Sequence, residues 1–228
     1  MLQQINAGSI PVIAIDGPSA SGKGTVAQRV AERLGFHYLD SGALYRLVAV
    51  AASKQNVALD HEVDLARIAR DLPVKFVGEQ IFLNDVDVSN EVRSEATGGG
   101  ASRVAALPLV REALLQRQRA FLQLPGLVAD GRDMGSVVFP DAALKIFLTA
   151  SAEIRAQRRC KQLIEKGLMV ANEGDIFTQI LQDIVERDQR DASRAVAPLQ
   201  CYPDARIVDT TDLSIDQAVN QIIQFYSC

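Results

Sequence analysis

Cysteine and histidine are scarce in this chain, apolar stretches are short and positive charge is not in excess; each shortage removes a class of protein. The three cysteines, Cys160, Cys201 and Cys228, form no C-x-x-C pair, and the two histidines, His37 and His61, stand far from all of them. Neither a disulfide framework nor a zinc site is expected, and the pattern reads as a reduced, cytoplasmic chain. No apolar run approaches the ~20 residues that span a bilayer. The N-terminus shows no basic patch, apolar stretch and small-residue cleavage site in series, so a soluble, unprocessed protein with no membrane partner is expected. With 24 Lys and Arg against 28 Asp and Glu, the net charge of -4 argues against holding nucleic acid by neutralising backbone phosphates. Basic residues here must act locally.

At 228 residues, 48% of them apolar, the chain can bury a full core, and one domain over residues 1–228 with small insertions is expected. The run Val12-Ile13-Ala14-Ile15 is continuously apolar, which suits a strand buried on both faces, and it ends at Asp16-Gly17, where the chain must turn. Val26, Ala27, Val30, Ala31 and Leu34 then recur at helical spacing, with Gly35 placed to stop the helix. A second strand over residues 36–39 leads through Asp40-Ser41-Gly42 into a helix marked by Tyr45, Val48 and Ala52. Leu127-Val128-Ala129, residues 144–148 and Ile207-Val208 continue the series of buried strands. Such alternation predicts an α/β fold, a parallel sheet of about five strands covered by helices.

Two regions interrupt the rhythm. Residues 74–89 alternate in short bursts around the turn pairs Gly78-Glu79 and Asn84-Asp85, which predicts a small antiparallel insertion, followed by helices over 91–122. Residues 152–194 are helical in pattern and dense in charge, broken near Gly167 and Gly174. The first is read as an acceptor-binding insert, about residues 73–106, and the second as a helical lid, about residues 158–195.

Gly17, Pro18, Ser19, Ala20, Ser21, Gly22, Lys23, Gly24 and Thr25 carry the spacing G-x-x-x-x-G-K, which turns consecutive backbone N–H groups toward phosphate oxygens. Lys23 would reach the β- and γ-phosphates, and the helix starting beside it aims its positive end at the same charge. A chance glycine turn is the alternative, but a buried strand before and an amphipathic helix after make this a P-loop NTPase-type sheet. The usual pattern has Ser or Thr directly after the lysine; here Gly24 stands there and Thr25 follows, a form similar to that of nucleoside monophosphate kinases. Asp130, at the end of the 127–129 strand, either holds Mg²⁺, directly or through water, with Thr25, or simply begins the Asp130-Gly131 turn.

On the acceptor side, Asp40-Ser41-Gly42-Ala43-Leu44-Tyr45-Arg46 follows the second strand. Ser41 alone reads as a helix cap; with Arg46 one turn on, a contact to a second phosphate becomes reasonable. Near the C-terminus Arg187, Asp191 and Arg194 share a helical face, and Arg155, Arg158 and Arg159 share another. The pairs Asp183/Arg187 and Glu186/Arg190 are equally those of any solvated helix.

Taken together, IDGPSASGKGT, LDSGALYR, ASRVA with VREALLQRQRAF, ADGRDMGSVVFPDA, KIFL and ERDQRDASRAVAPL resemble the bacterial cytidylate kinases over nearly the whole chain. Adenylate, guanylate, shikimate and gluconate kinases share the loop but not DSGALYR, DGRDMG and RAVAPL together. The resemblance implies ATP as phosphoryl donor with Mg²⁺, and CMP and dCMP as acceptors. It gives Ser41, Arg46 and Arg132 to the acceptor phosphate, Ser102, Arg111, Asp133 and Arg194 to the cytosine, and Arg187 and Asp191 to the ribose. Arg158, with Arg155 and Arg159 beside it, would meet the ATP phosphates; Lys23, Arg132, Arg158 and Arg187 would carry catalysis. The Gly98-Gly99-Gly100 run before Ser102 is a loose element in that insert. A monomer is expected. Two other readings stand beside this one: a kinase for a hydroxyl-bearing metabolite such as shikimate, and a nucleotide-binding regulator without a second substrate.

Overall fold

The computed structural model describes residues 10–77, 80–165 and 174–228. In chain order its elements are β1 (Val12–Asp16), α1 (Lys23–Leu34), β2 (His37–Asp40), α2 (Ser41–Lys54), α3 (Glu62–Arg70), β3 (Val74–Val77), β4 (Gln80–Leu83), β5 (Val86–Asp87), α4 (Ser89–Val92), α5 (Glu95–Val104), α6 (Pro108–Arg119), β6 (Leu127–Gly131), β7 (Leu144–Thr149), α7 (Ala152–Glu165), α8 (Gly174–Ala192), β8 (Arg206–Asp209) and α9 (Ile215–Ser227). One wide helical turn, Met134–Val138, lies between β6 and β7.

Five strands form one parallel sheet in the order β2-β6-β1-β7-β8, as the alternation of patterns predicts. β1 is central and wholly buried. Its side chains divide by the two-residue period of a strand. Val12 and Ala14 join the core under α2, α3, α5 and α6, while Ile13 and Ile15 join the core under α1 and α9. Burial on both sides is why the first four residues of β1, Val12 to Ile15, are all apolar, and truncating Ile13 or Ile15 to alanine should cost ~2–5 kcal/mol.

Connections part at β1, with β2 and β6 on one side and β7 and β8 on the other. The crevice outside the carboxyl ends of such strands is where open α/β sheets take ligands. Three carboxylates stand at those ends: Asp40 is in register with Asp130, and Asp16 with Gly131.

β3, β4 and β5 form a separate antiparallel sheet. Its second turn is a two-residue hairpin in which Asn84 and Asp85 take φ of 50° and 62°, as the residue pair predicts; Gly78-Glu79 lies outside the described residues. The Gly98-Gly99-Gly100 run corrects an expectation, since it sits inside α5 and is not loose. A Cβ at Gly98 would stand 3.0 Å from the Arg46 guanidinium, and one at Gly100 would stand 3.4 Å from Ala49 of α2. Small residues let α5 close onto α2, and this fixes Ser102 beside the crevice. α7 ends at Glu165 and α8 starts at Gly174, in keeping with the expected break near Gly174, and Gly167 lies outside the described residues.

Candidate active site

The loop between β1 and α1 sets Ser19, Ala20, Lys23 and Gly24 along the crevice. At Gly17 a Cβ would meet the Leu148 carbonyl oxygen at 2.0 Å, so only glycine lets the loop leave β1 against β7. Gly22, at φ 87°, caps α1 in the left-handed conformation. Inside the loop Ser21 Oγ donates to the Pro18 carbonyl at 3.0 Å. Ser19 Oγ is buried without a hydrogen-bond partner.

Lys23 is 9% exposed; its ammonium donates to the Pro18 carbonyl at 3.3 Å and stands 3.9 Å from Asp130 Oδ1. Burial, then the Arg132 charge, pulls Lys23 down to about 8. Burial likewise pushes Asp130 up to about 6. Tyr38 donates to Asp130 Oδ2 at 3.4 Å, while Oδ1 is buried with no hydrogen-bond partner. A Cβ at Gly24 would lie 3.2 Å from that carboxylate, which gives a steric reason for glycine where most such loops carry a hydroxyl residue. An orphaned, buried carboxylate oxygen beside the loop suits a divalent cation. Among the described residues no three His, Cys, Asp or Glu side chains converge as ligands, so a cation would draw the rest of its shell from phosphate and water.

The crevice is a cleft of about 240 Å³, and every acceptor residue named from the resemblance lines it: Ser41, Arg46, Ser102, Arg111, Arg132, Asp133, Arg187, Asp191 and Arg194. Lys23 and Asp130 line it too. Asp40, not Ser41, caps α2 by accepting from Ala43 N at 3.0 Å, which leaves Ser41 at the cleft wall. Arg46 reaches the Val92 and Ser94 carbonyls at 2.9 and 3.0 Å. Arg111 donates to Asp133 and, at 3.1 Å, to the Ala105 carbonyl; its guanidinium lies 5.9 Å from the Tyr45 ring centroid. Burial raises Asp133, with Arg111 and Arg194 opposing. Asp191 accepts from Arg132 at 2.8 Å and from Arg194. Burial works to raise Asp191, but Arg132 and Arg194 outweigh it and hold this carboxyl at about 2. Burial and Arg132 lower Arg187 to about 10. Six buried side-chain atoms among the described residues lack a hydrogen-bond partner, and four of them, on Ser19, Asp130, Arg187 and Arg194, belong to this cleft. Such orphans gather where a ligand supplies the missing partners.

Two residues named from the sequence stand apart. Thr25 is exposed and borders a neighbouring cavity of about 750 Å³ with Tyr38, Arg46 and Arg159. Arg158 donates to Thr210 Oγ1 at 3.0 Å and to the Ser21 carbonyl at 3.4 Å, behind the loop. Arg155, expected beside Arg158 at the ATP phosphates, ties the Ala150 carbonyl, the Ser19 carbonyl and Asp188 together. Two others escape the sequence reading. Asp16 accepts from Met134 N at 2.8 Å and Gly135 N at 2.9 Å, and burial pushes it up to about 7. Arg190 donates to Ser102 Oγ at 3.1 Å instead of pairing along its helix, where Glu186 accepts from Gln182. The place of Asp16 directly before the loop, and of Arg190 one turn after Arg187, are the signals that could have found them.

A parallel sheet whose central strand runs into a glycine cradle with one lysine, facing a cleft of arginines and carboxylates, defines a P-loop kinase. The family model described as cytidylate kinase matches residues 13–227, and the chain belongs to that family. A cytidylate kinase of Chromobacterium violaceum is 61% identical over 218 residues, covering 96% of each chain. One of Bordetella pertussis is 56% identical over 221 residues, covering 97% of each. Among solved structures, a shikimate kinase from Bacteroides thetaiotaomicron matches at 15% identity and a TM-score of 0.45, covering 96% of this chain and 99% of its own; likeness at that level says nothing of substrate.

Proposed function

We propose that this chain transfers the γ-phosphoryl group of ATP to the phosphate of CMP and dCMP, giving CDP and dCDP. The observation that carries the choice of base is the buried Arg111/Asp133 pair on the cleft wall. Cytosine offers an amino donor where uracil offers a carbonyl acceptor, so Asp133 can accept from the right base and repel the wrong one. Arg111 fixes one carboxylate oxygen and leaves the other to the ligand. Ser102 and Arg194 serve the remaining edge of the base, Arg187 and Asp191 the ribose, and Ser41, Arg46 and Arg132 the acceptor phosphate.

The reaction is in-line. A phosphate monoester with a second pKa of ~6 is mostly a dianion at neutral pH, so its oxygen attacks the γ-phosphorus without a general base. Lys23 and the loop amides hold the donor tail while Arg132 and Arg187 match charge spread over the transferring group. Mg²⁺, held by Asp130 directly or through water, would supply further neutralisation of the triphosphate. Arg158 joins the donor phosphates on closure of a lid over residues 158–195, breaking its contact with Thr210, and residues 73–106 form the acceptor insert of a single domain. The enzyme acts as a cytoplasmic monomer without nucleic acid or membrane partners. The net charge of -4 supports the lack of a nucleic-acid partner, and no described helix is long and apolar enough to cross a membrane.

A coupled ADP-release assay over CMP, dCMP, UMP, AMP and shikimate tests the proposal. Strong stimulation by CMP and dCMP is expected. Turnover with shikimate alone would require a hydroxyl-directed kinase, and stimulation by none of them would point to a regulator.

A further inference from the structure

The buried carboxylate of Asp16 contacts neither substrate in the reading above, yet it joins the two halves of the cleft. It ends β1 one residue before Gly17, whose backbone is pressed against the Leu148 carbonyl. Its two oxygens each accept one backbone N–H, from Met134 at 2.8 Å and Gly135 at 2.9 Å. Those are the first residues of the wide turn that begins at Asp133. The turn's other side is closed on Asp133 itself, whose carbonyl accepts from Val137 N at 2.9 Å and Val138 N at 3.2 Å. Asp133 therefore points into the cleft from a turn gripped at its open end by one side chain. That grip comes from the strand that starts the donor loop.

We propose that Asp16 is a positioning residue for base recognition: by holding the Met134 and Gly135 amides it sets the direction of the Asp133 carboxylate, and so the discrimination of CMP from UMP. The inference rests on the reading of Asp133 as the group that meets the base. Both acceptor oxygens are required. In Asp16→Asn one oxygen becomes an amide N–H₂ facing a backbone N–H, so one bond is lost and two donors oppose each other. The turn then relaxes, and the angle at which Asp133 meets an exocyclic amino group degrades while its charge is kept. A purely structural role would lower stability and scale all acceptors alike; a positioning role changes their ratio.

The test is the ratio of kcat/KM for CMP over UMP in wild type, Asp16→Asn, Asp133→Ala and the double variant, with the KM for ATP measured alongside. Asp16→Asn is expected to lower the ratio about ten-fold, the scale of one hydrogen bond lost with its partner left buried, and to leave the KM for ATP within about two-fold. In the Asp133→Ala background the same substitution should no longer change the ratio. A folded Asp16→Asn with the wild-type ratio, beside an Asp133→Ala that loses it, overturns the positioning role and leaves the proposed function standing. An Asp133→Ala that keeps the ratio overturns the base-reading assignment, and this inference with it. Should Asp16→Asn not fold, Asp16→Glu, which keeps the charge but moves both oxygens by one methylene, is read in the same assay: a lowered ratio supports the proposal and an unchanged one overturns it.

Discussion

The donor loop and the acceptor wall line one cleft and are built on opposite plans. In the loop, glycines shape the chain and Lys23 is the charged side chain within it; an added methyl at Gly17 would collide with the next strand. In the acceptor wall charged and polar side chains engage one another: Arg111 with Asp133, Arg132 and Arg194 with Asp191, Arg190 with Ser102. A site made of main chain recognises an anion by shape and dipole, whichever nucleotide carries it. One made of mutually paired side chains is preorganised, and it can refuse a ligand by leaving a buried group unmatched.

Four measurements press on this contrast. Lys23→Ala should cut kcat by ~10³-fold or more, on the scale of lost charge stabilisation in phosphoryl transfer, with little change in the circular dichroism spectrum. Wild-type turnover would mean that the amides suffice alone. Second comes pH. Asp16 keeps its proton up to about 7 in the folded chain against the usual 3.8, so the folded state binds more protons across that window. The stability this contributes at low pH is lost as pH rises from about 4 through 7. Measured against Asp16→Asn, the unfolding free energy of wild type should fall by a few kcal/mol over that range and run parallel above it. Parallel curves throughout would show a normally ionising carboxyl. Third, Asp133→Asn, which offers an N–H₂ where a carboxylate stood, should shift the CMP over UMP ratio toward UMP by ~10- to 100-fold in competition kinetics. Smallest is Arg190→Met. Loss of its bond to Ser102 should raise the KM for CMP by about three- to ten-fold with kcat nearly unchanged, and a fall in kcat instead would place Arg190 in the transfer step.

The same contrast explains what the sequence discloses. A main-chain site leaves a local mark, because only certain residues fit the loop, and so residues 17–25 and the five strands around them are legible from spacing and apolar runs. The acceptor wall gathers Ser41, Arg111, Asp133 and Arg194 from four distant segments, and no spacing rule brings them together; only the family likeness does. Asp16 and Arg190 were missed because each looks like an ordinary residue of its kind, a turn carboxylate and a helix-surface arginine. Their partners, the Met134 and Gly135 amides and Ser102, lie far along the chain. The glycine run in α5 misleads because glycine signals looseness in general, whereas here closeness between helices demands it.

Arg155 uses its guanidinium as a three-way joint: one edge on the end of β7 through Ala150, one on the donor loop at Ser19, one on α8 through Asp188. A lysine would keep the charge and lose the joint, because a single ammonium on a flexible stem cannot hold three partners in one plane. The tilt of the nucleotide cradle is thus set in part by a helix more than 150 residues downstream, the same helix that carries Arg187 and Asp191. Engineers who graft or trim that helix to change the acceptor should expect to detune the donor site as well.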